Sequence, residues 1–325
     1  PKTTSRTIGL SNDSINFLEN QKILQKKSCW NIKQINLYKG ENPNSFLNFR
    51  PEKSSFLMTP YDAFYNKLEE KLKKDRLIKI KKKTQPKTFL DLIKKNYELI
   101  ILTDTKNILF KKYFNKHIKK NYDSIAFTTV IEHKKIKNDI AEQFFTKFGP
   151  LAFLPISDTK TSIVFSVFDK NIKKDKKKIV ELVKLYNRLY SIKNIGKLQE
   201  FPINLSLSRN YFCKNILSFG DALHKIHPLA GQGFNMTLRD AKILTELIEK
   251  NLELGLNLNN VLEKFEIKRK NSNFVFAMGV DFLHEFFKLL NKYDLKSLDK
   301  FFEFINKNIF IKKKIEKLAD KGFVL

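Results

Sequence analysis

Apolar positions along the chain fall into short strand-like runs and longer helical stripes, and one stripe follows directly on one run. Leu238, Ala241, Leu244, Leu247 and Ile248 recur at the spacing of one helix face. Ahead of them Ile216, Leu217, Ser218 and Phe219 read as a short buried strand, ended by Gly220 and Asp221. Upstream, residues 3 to 18 read as a strand-like entry and then a helix capped near Ser11 to Ser14. Trp30, Ile32, Ile35, Leu37 and Tyr38, a turn over Lys39 to Asn44, and Phe46, Leu47 and Phe49 read as a hairpin. Phe64, Leu68 and Leu72 mark a helix over residues 60 to 74, and Leu77 to Lys83 alternates like an exposed strand. Leu99 to Leu102 reads as a buried strand, Ile125 to Val130 as another, and residues 143 to 156 and 162 to 167 as continuing sheet. Lys173 to Lys178 reads as a solvated turn or helix start.

After residue 250 the pattern is helical throughout. Phe282, Leu283, Phe286, Phe287, Leu289 and Leu290 form one apolar stripe; Phe301, Phe302, Phe304, Ile305, Ile309, Phe310 and Ile311 form another. Lys288, Lys292, Lys296, Lys300 and Lys312 to Lys314 accompany them. Such stripes suit core packing, and with basic flanks they also suit helices lying on a membrane surface.

Composition narrows the class. With 325 residues, 42% of them apolar and 30 of them Phe, the chain can bury a large core in one or two domains. No apolar run approaches the length of a spanning helix, and no secretory signal pattern is present. Cys29 and Cys213 make no metal or redox spacing, which suits a reducing compartment. The formal charge of +28 suggests nucleic acid, but seven of the 62 basic residues are Arg and the Lys residues are spread along the whole chain. Readers of phosphates and bases lean on Arg forks, so no nucleic-acid partner is expected. The charge would still favour an anionic membrane surface.

The candidate chemistry lies between the strand at 216–219 and the helix after it. Asp221 is a carboxylate at a strand's carboxyl end, where open α/β sheets bind ligands. Gly231 and Gly233 stand just before a helix, whose free N–H groups favour an anionic or electron-rich ligand, and glycine lets that ligand approach the backbone. On spacing alone an ordinary strand, turn and helix fits equally well. His224 and His227 lack the neighbouring Cys or carboxylate ligands that a metal site needs, so no metal is expected.

The full string is more specific than its spacing. Gly220-Asp221-Ala222-x-His224-x-x-His227-Pro228-x-Ala230-Gly231-Gln232-Gly233-x-Asn235, followed by a Leu238-Arg239-Asp240 helix, resembles the second flavin-binding motif of the flavoprotein aromatic hydroxylases, within them most closely the ubiquinone-biosynthesis hydroxylases. Residues 6 to 11, within the strand-like entry at 3 to 18, resemble that family's Arg-Thr-x-x-Leu-Ser stretch, and residues 149 to 155 its Gly-Pro-Leu-Ala-x-Leu-Pro run.

The resemblance implies an α/β fold: an FAD-binding sheet-and-helix domain of the aromatic hydroxylase type, with an inserted substrate-binding sheet and C-terminal helices. The FAD domain would comprise residues 1–27, 56–118 and 209–270, the substrate sheet 28–55 and 119–208, and the helical region 271–325. Asp221, beside Gly220, would hold a ribityl or pyrophosphate-side hydroxyl of FAD. The Gly231, Gln232, Gly233 and Asn235 backbone would face the flavin ring, Arg6 would approach the phosphates, and His227 and Pro228 would shape the flavin's face at the catalytic position. Asp104 matches the first residue of the family's Asp-Gly pair, which helps bind the cofactors; Thr105 stands where that pair has Gly and cannot easily adopt the positive φ that Gly permits.

The implied reaction is ring hydroxylation of a polyprenylated phenol in ubiquinone biosynthesis, with O2 as co-substrate and NAD(P)H or another electron donor. It would take place on a cytoplasmic protein held peripherally on a bacterial inner membrane, in possible company with other ubiquinone-biosynthesis proteins. Two rival readings share the fold: a flavin reductase, and a non-catalytic member of a biosynthetic assembly. The family's Gly-x-Gly-x-x-Gly turn, which cradles the pyrophosphate, matches no three of the ten glycines. The expectation is therefore a chain lacking roughly its first 30 residues, one βαβ half-unit, with the strands at 99–102 and 216–219 left with unpaired edges.

Overall fold

The computed structural model describes residues 6–50, 56–81, 97–228, 231–292 and 297–322. In chain order, β1 (Thr7–Ser11) runs into α1 (Asn12–Asn20), followed by β2 (Trp30–Ile32), β3 (Gln34–Lys39), β4 (Leu47–Phe49), β5 (Phe56–Pro60) and α2 (Tyr61–Lys74). β6 (Ile100–Leu102) leads to α3 (Ile108–Tyr113), and then come β7 (His117–His133), β8 (Ile140–Thr146), β9 (Gly149–Ser157) and β10 (Lys160–Val167). After α4 (Lys176–Tyr186), β11 (Ile192–Ile195) and β12 (Gln199–Ser208), the short strands β13 (Phe212–Cys213), β14 (Ile216–Ser218) and β15 (His224–Lys225) precede α5 (Gln232–Glu253). The chain closes on α6 (Leu258–Lys292), α7 (Ser297–Lys307) and α8 (Ile309–Lys321).

Three sheets organise these elements. A nine-stranded sheet runs β15-β12-β7-β10-β9-β8-β3-β4, with β11 also pairing β7. One face carries α4, whose Ile179, Leu182, Val183 and Tyr186 pack on Phe127, Phe144, Phe153 and Phe165. Most of the Phe-rich stretch at 143–156 is accordingly sheet core. A second sheet has the order β1-β5-β2, so the first strand of the expected hairpin region joins β5, while β3 and β4 form the hairpin.

The third sheet positions the site. β14 pairs β6 in parallel, Ile216 opposite Ile100 and Ser218 opposite Leu102, and β13 in antiparallel. Its faces are covered by two layers, as parallel pairing requires. Leu217 packs with Leu244 and Leu247 of α5 and Leu262 and Phe265 of α6, while Ile216 and Leu102 pack with Leu109 and Phe110 of α3. The strands at 99–102 and 216–219 thus pair with each other, and only the outer edge of β6 lacks a strand among the described residues. Ile101 on β6 is 47% exposed, so this strand is less buried than its apolar run suggests.

The strand expected over 77–83 does not form in its described part. Residues 77–81 are irregular, and Leu77 is 92% exposed. Among the described residues its alternation meets no partner strand that would bury the apolar face, and periodicity alone does not stabilise a strand. Ser11 caps α1 as expected, its hydroxyl accepting from the Ser14 N–H. The C-terminal stripes split: Phe287, Phe302 and Ile305 are buried, whereas Phe282, Phe304 and Phe310 are exposed.

Candidate functional site

The carboxyl ends of β6 and β14 lie side by side, because the two strands are parallel and in register. The Phe219 N–H donates to Leu102 O at 2.8 Å and carries that pairing one residue past the strands. Asp104 and Asp221 therefore leave the same sheet end, and both are exposed. Gly220 turns the chain there with φ +58°, and a single 3-10 turn over Gly220–Ala222 presents Asp221. Asp104 is partly engaged, its carboxylate accepting from the Lys106 N–H at 2.9 Å. Thr105 is not among the described residues with positive φ, so this turn closes without the conformation that glycine would allow.

Downstream, Gly231 is the N-cap of α5, with φ +63° and ψ +24°. This left-handed geometry strains any other residue, and it leaves the first N–H groups of a long helix without a capping side chain. The nearest atom to a Cβ built on Gly231 is Phe56 Cζ at 3.8 Å, and on Gly233 it is a side-chain atom of Ile226 at 3.8 Å. Both are ordinary van der Waals distances, so neither glycine is crowded at its Cβ position.

Asn235 fixes where that helix start sits. Its Oδ1 accepts from the Ser11 N–H at 2.9 Å, and its Nδ2 donates to Gly9 O at 2.9 Å and Gly231 O at 3.2 Å. The Asn235 side chain is thus a fully buried clamp between β1 and α5, while its backbone, the part expected to face the ligand, lies in the first turn. Three residues before Gly9, Arg6 is exposed and lies 5.3 Å over the Tyr61 ring and 5.0 Å over the Phe201 ring.

Two buried polar atoms at this sheet end have no hydrogen-bond partner among the described residues: Ser218 Oγ at the end of β14 and Gln232 Oε1 at the start of α5. A buried polar atom left unmatched costs stability, so both fit a ligand that supplies donors or acceptors. An exposed carboxylate, an uncapped helix start held open by glycine and these two atoms together fit FAD.

His227 and Pro228 stand between Asp221 and Gly231. The His227 ring is wholly buried, stacked on His284 of α6 with centroids 4.1 Å apart and edge-on to Tyr122 of β7 at 5.3 Å. Burial first, and then the neighbouring His284, push its pKa down to about 3 against the pull of Asp281. Neutral His227 therefore packs the turn against β7 and α6. Tyr122 donates to Asp281 at 2.7 Å, and burial together with that bond raises the phenol pKa. Lys120 bridges Asp281 and Glu285 at 2.8 and 3.0 Å.

The sequence reading missed a second buried group. His224 Nε2 donates to Asp240 Oδ2 at 2.7 Å, and Arg269 Nε donates to Asp240 Oδ1 at 2.6 Å. Asn273 Nδ2 donates to Asp240 and to the Tyr211 hydroxyl, and its Oδ1 accepts from Arg269. Burial alone would raise the Asp240 pKa, but His224 and Arg269 outweigh it and hold the carboxyl below its ordinary value. This network ties the turn to α5 and α6. A signal was present: Asp240 stands four residues from both Met236 and Leu244, on the buried helix face, where a carboxylate must have partners.

Comparison with known proteins places the fold and the family. Residues 97–315 match the squalene epoxidase family. The chain is 26% identical over 208 residues to ubiquinone biosynthesis monooxygenase COQ6 of Danio rerio, covering 51% of this chain and 43% of that protein. It is 26% identical over 182 residues to ubiquinone hydroxylase UbiL of Rhodospirillum rubrum, covering 51% and 41%. The chain thus spans less than half the length of these relatives. Its fold is that of p-nitrophenol 4-monooxygenase PnpA from Pseudomonas putida, with TM-score 0.77, 12% identity and coverage of 99% and 91%. It is also that of Klebsiella pneumoniae HpxO, solved with FAD and uric acid, with TM-score 0.72, 11% identity and coverage of 99% and 89%.

Proposed function

We propose that this chain, which belongs to the squalene epoxidase family, is an FAD-dependent monooxygenase that hydroxylates the aromatic ring of a polyprenylated phenol in ubiquinone biosynthesis. The observation that carries the reading is the juxtaposition of exposed Asp221 with the open, left-handed Gly231 cap of α5. Asp221 would hold a sugar-side hydroxyl, and the Gly231–Gly233 backbone would meet the ring with free N–H groups. Ser218 and Gln232 would satisfy their buried oxygens against the same ligand. His227 and Pro228 would shape its face, and Asp104 and Arg6 would approach its polar end. When bound, FAD would supply the redox chemistry that activates O2, with electrons from NAD(P)H or another donor. The chain's own part is orientation and exclusion of water.

The discontinuous FAD region of 1–27, 56–118 and 209–270 and the substrate sheet of 28–55 and 119–208 remain part of this proposal. So does a peripheral position on an anionic bilayer, in which the C-terminal helices face the lipid. No helix among the described residues is long and apolar enough to cross a membrane. Phe282, Phe304, Ile309 and Phe310 are more than half exposed, in company with Lys300, Lys307, Lys313 and Lys314. Apolar side chains among lysines suit insertion at an anionic interface.

The test is turnover of a prenylated phenol under ¹⁸O2 by the complete protein. One labelled oxygen in the ring supports the reading. Consumption of reductant with no label in the product would make the protein a flavin reductase instead.

A further inference from the structure

Among the described residues of α8 none is buried, so apolar packing does little to fix where this helix ends. Polar contacts fix it instead. The Asp320 carboxylate accepts from the Asp13 N–H at 2.9 Å, in the first turn of α1. The Asp320 main-chain carbonyl accepts from the Ser11 hydroxyl at 3.0 Å and from Arg239 Nη1 of α5 at 3.3 Å. Asp13 also meets Lys242 of α5 at 2.8 Å. Gly322, just past the helix with φ +72°, lies so close to Arg239 that a Cβ built on it would stand 3.0 Å from Nε. Ser11 and Asp320 are 309 positions apart in the chain. The join is electrostatically matched, because a helix start has free N–H groups and partial positive charge while a helix end has free carbonyls and partial negative charge. The end of α8 meets the start of α1, and the Asp320 carboxylate takes one of the N–H groups that α1 cannot satisfy itself.

We propose that Asp320, at the far end of the C-terminal helix, is a positioning residue for the Gly231 turn, acting through the start of α1. The inference rests on the FAD reading above. The route is a continuous set of hydrogen bonds. Asp320 holds Ser11 and Asp13; the Ser11 N–H donates to Asn235 Oδ1 at 2.9 Å; Asn235 Nδ2 donates to Gly231 O at 3.2 Å and to Gly9 O at 2.9 Å. Both ends of the Asn235 amide are engaged, so a shift of Ser11 carries Asn235 and the Gly231 carbonyl with it. Gly231 is the cap that leaves the first N–H groups of α5 free. A binding group must be held to within about 0.5 Å by the residues behind it, and here those residues extend to α8. The C-terminal helices have a second polar anchor that serves as a comparison. Asn306 of α7 donates to Phe46 O at 2.7 Å and accepts from the Asn48 N–H at 3.3 Å, on the large sheet. Of the two anchors, the one at Asp320 leads to Gly231.

Flavin titration and urea unfolding of the complete protein and of three variants separate positioning from general support. Asp320→Ala should weaken FAD binding about fivefold, the scale at which residues remote from a ligand act, and should shift the visible band of the bound flavin. Asp320→Asn keeps an oxygen for the Asp13 N–H and should stay within about twofold of the unsubstituted affinity, a neutral acceptor being weaker than a charged one. Asn306→Ala loosens the other anchor; it should lower the urea midpoint while leaving flavin affinity and band unchanged. Unchanged affinity and band in Asp320→Ala would overturn the positioning role and leave the FAD reading standing. Equal losses of affinity in Asp320→Ala and Asn306→Ala, or in Asp320→Ala and Asp320→Asn, would overturn the route through Asp13 and Ser11. An unsubstituted protein that binds no flavin would overturn both readings. Should Asp320→Ala fail to fold, Gly322→Ala disturbs the same join by pressing a methyl group toward Arg239. It should weaken FAD binding in the same direction, and unchanged affinity there would overturn the proposal.

Discussion

His224 and Asp240 meet at 2.7 Å with both side chains closed off from water, His224 following Asp221 by three residues and Asp240 lying two turns into α5. The carboxylate takes its second main bond from Arg269. Removing one member of such a group leaves an uncompensated buried charge, which costs about 3–5 kcal/mol. Asp240→Asn should therefore lower the urea midpoint sharply. It should also weaken flavin binding, because the turn bearing Asp221 loses its anchor to α5 and α6. A midpoint within experimental error of the unsubstituted protein would show that the network does not hold the turn.

The stacked imidazoles make stability depend on pH with a definite sign. His227 titrates at about 3 in the folded chain and near 6.5 when unfolded, chiefly because burial disfavours its charged form. Below about pH 6.5 the unfolded chain takes up a proton that the folded chain refuses. The stabilising contribution is complete above that pH and is lost as pH falls toward about 3, at up to about 1.4 kcal/mol per pH unit. His284 is shifted in the same direction, first by burial, and adds to the slope. Urea unfolding at pH 7.5, 6 and 5 should show the decline, and His227→Phe should flatten it. An unchanged slope in that variant would assign the decline to other groups.

Much of this arrangement was legible in the sequence. Apolar periodicity located β14, α5, α2, the β3–β4 hairpin and parts of β7 to β10, though not β11, β12 or β15, and the Gly-Asp to Asn235 string marked the turn. What periodicity could not supply was partnership. The register that pairs β6 with β14 depends on contacts more than a hundred residues apart, and the alternation over 77–81 meets no partner strand among the described residues. The side chain of Asn235 matched a motif whose roles are backbone roles, and only the structure shows it clamping Gly9 and Ser11 to the helix start. The His224–Asp240–Arg269–Asn273 group needs three elements brought together, and local spacing does not encode that.

Membrane attachment is open to a direct test. In flotation with vesicles of anionic lipid the protein should rise with the lipid, and raising the salt should weaken this by screening the lysines. Phe304→Asp together with Phe310→Asp places charges at two exposed apolar positions on α7 and α8 and should abolish flotation. Flotation unaffected by the pair would remove these helices from the interface.

The most direct measurement on the account as a whole is a flavin titration of the complete protein and of its Asp221→Ala variant, followed by visible absorbance. Asp221 is an exposed carboxylate offered to a hydroxyl donor, and a hydrogen bond to a charged group contributes about 1.5–3 kcal/mol. The unsubstituted protein should bind one FAD, and the variant should bind it about tenfold or more weakly. Equal affinity in the two proteins would contradict the placement of FAD at the carboxyl ends of β6 and β14.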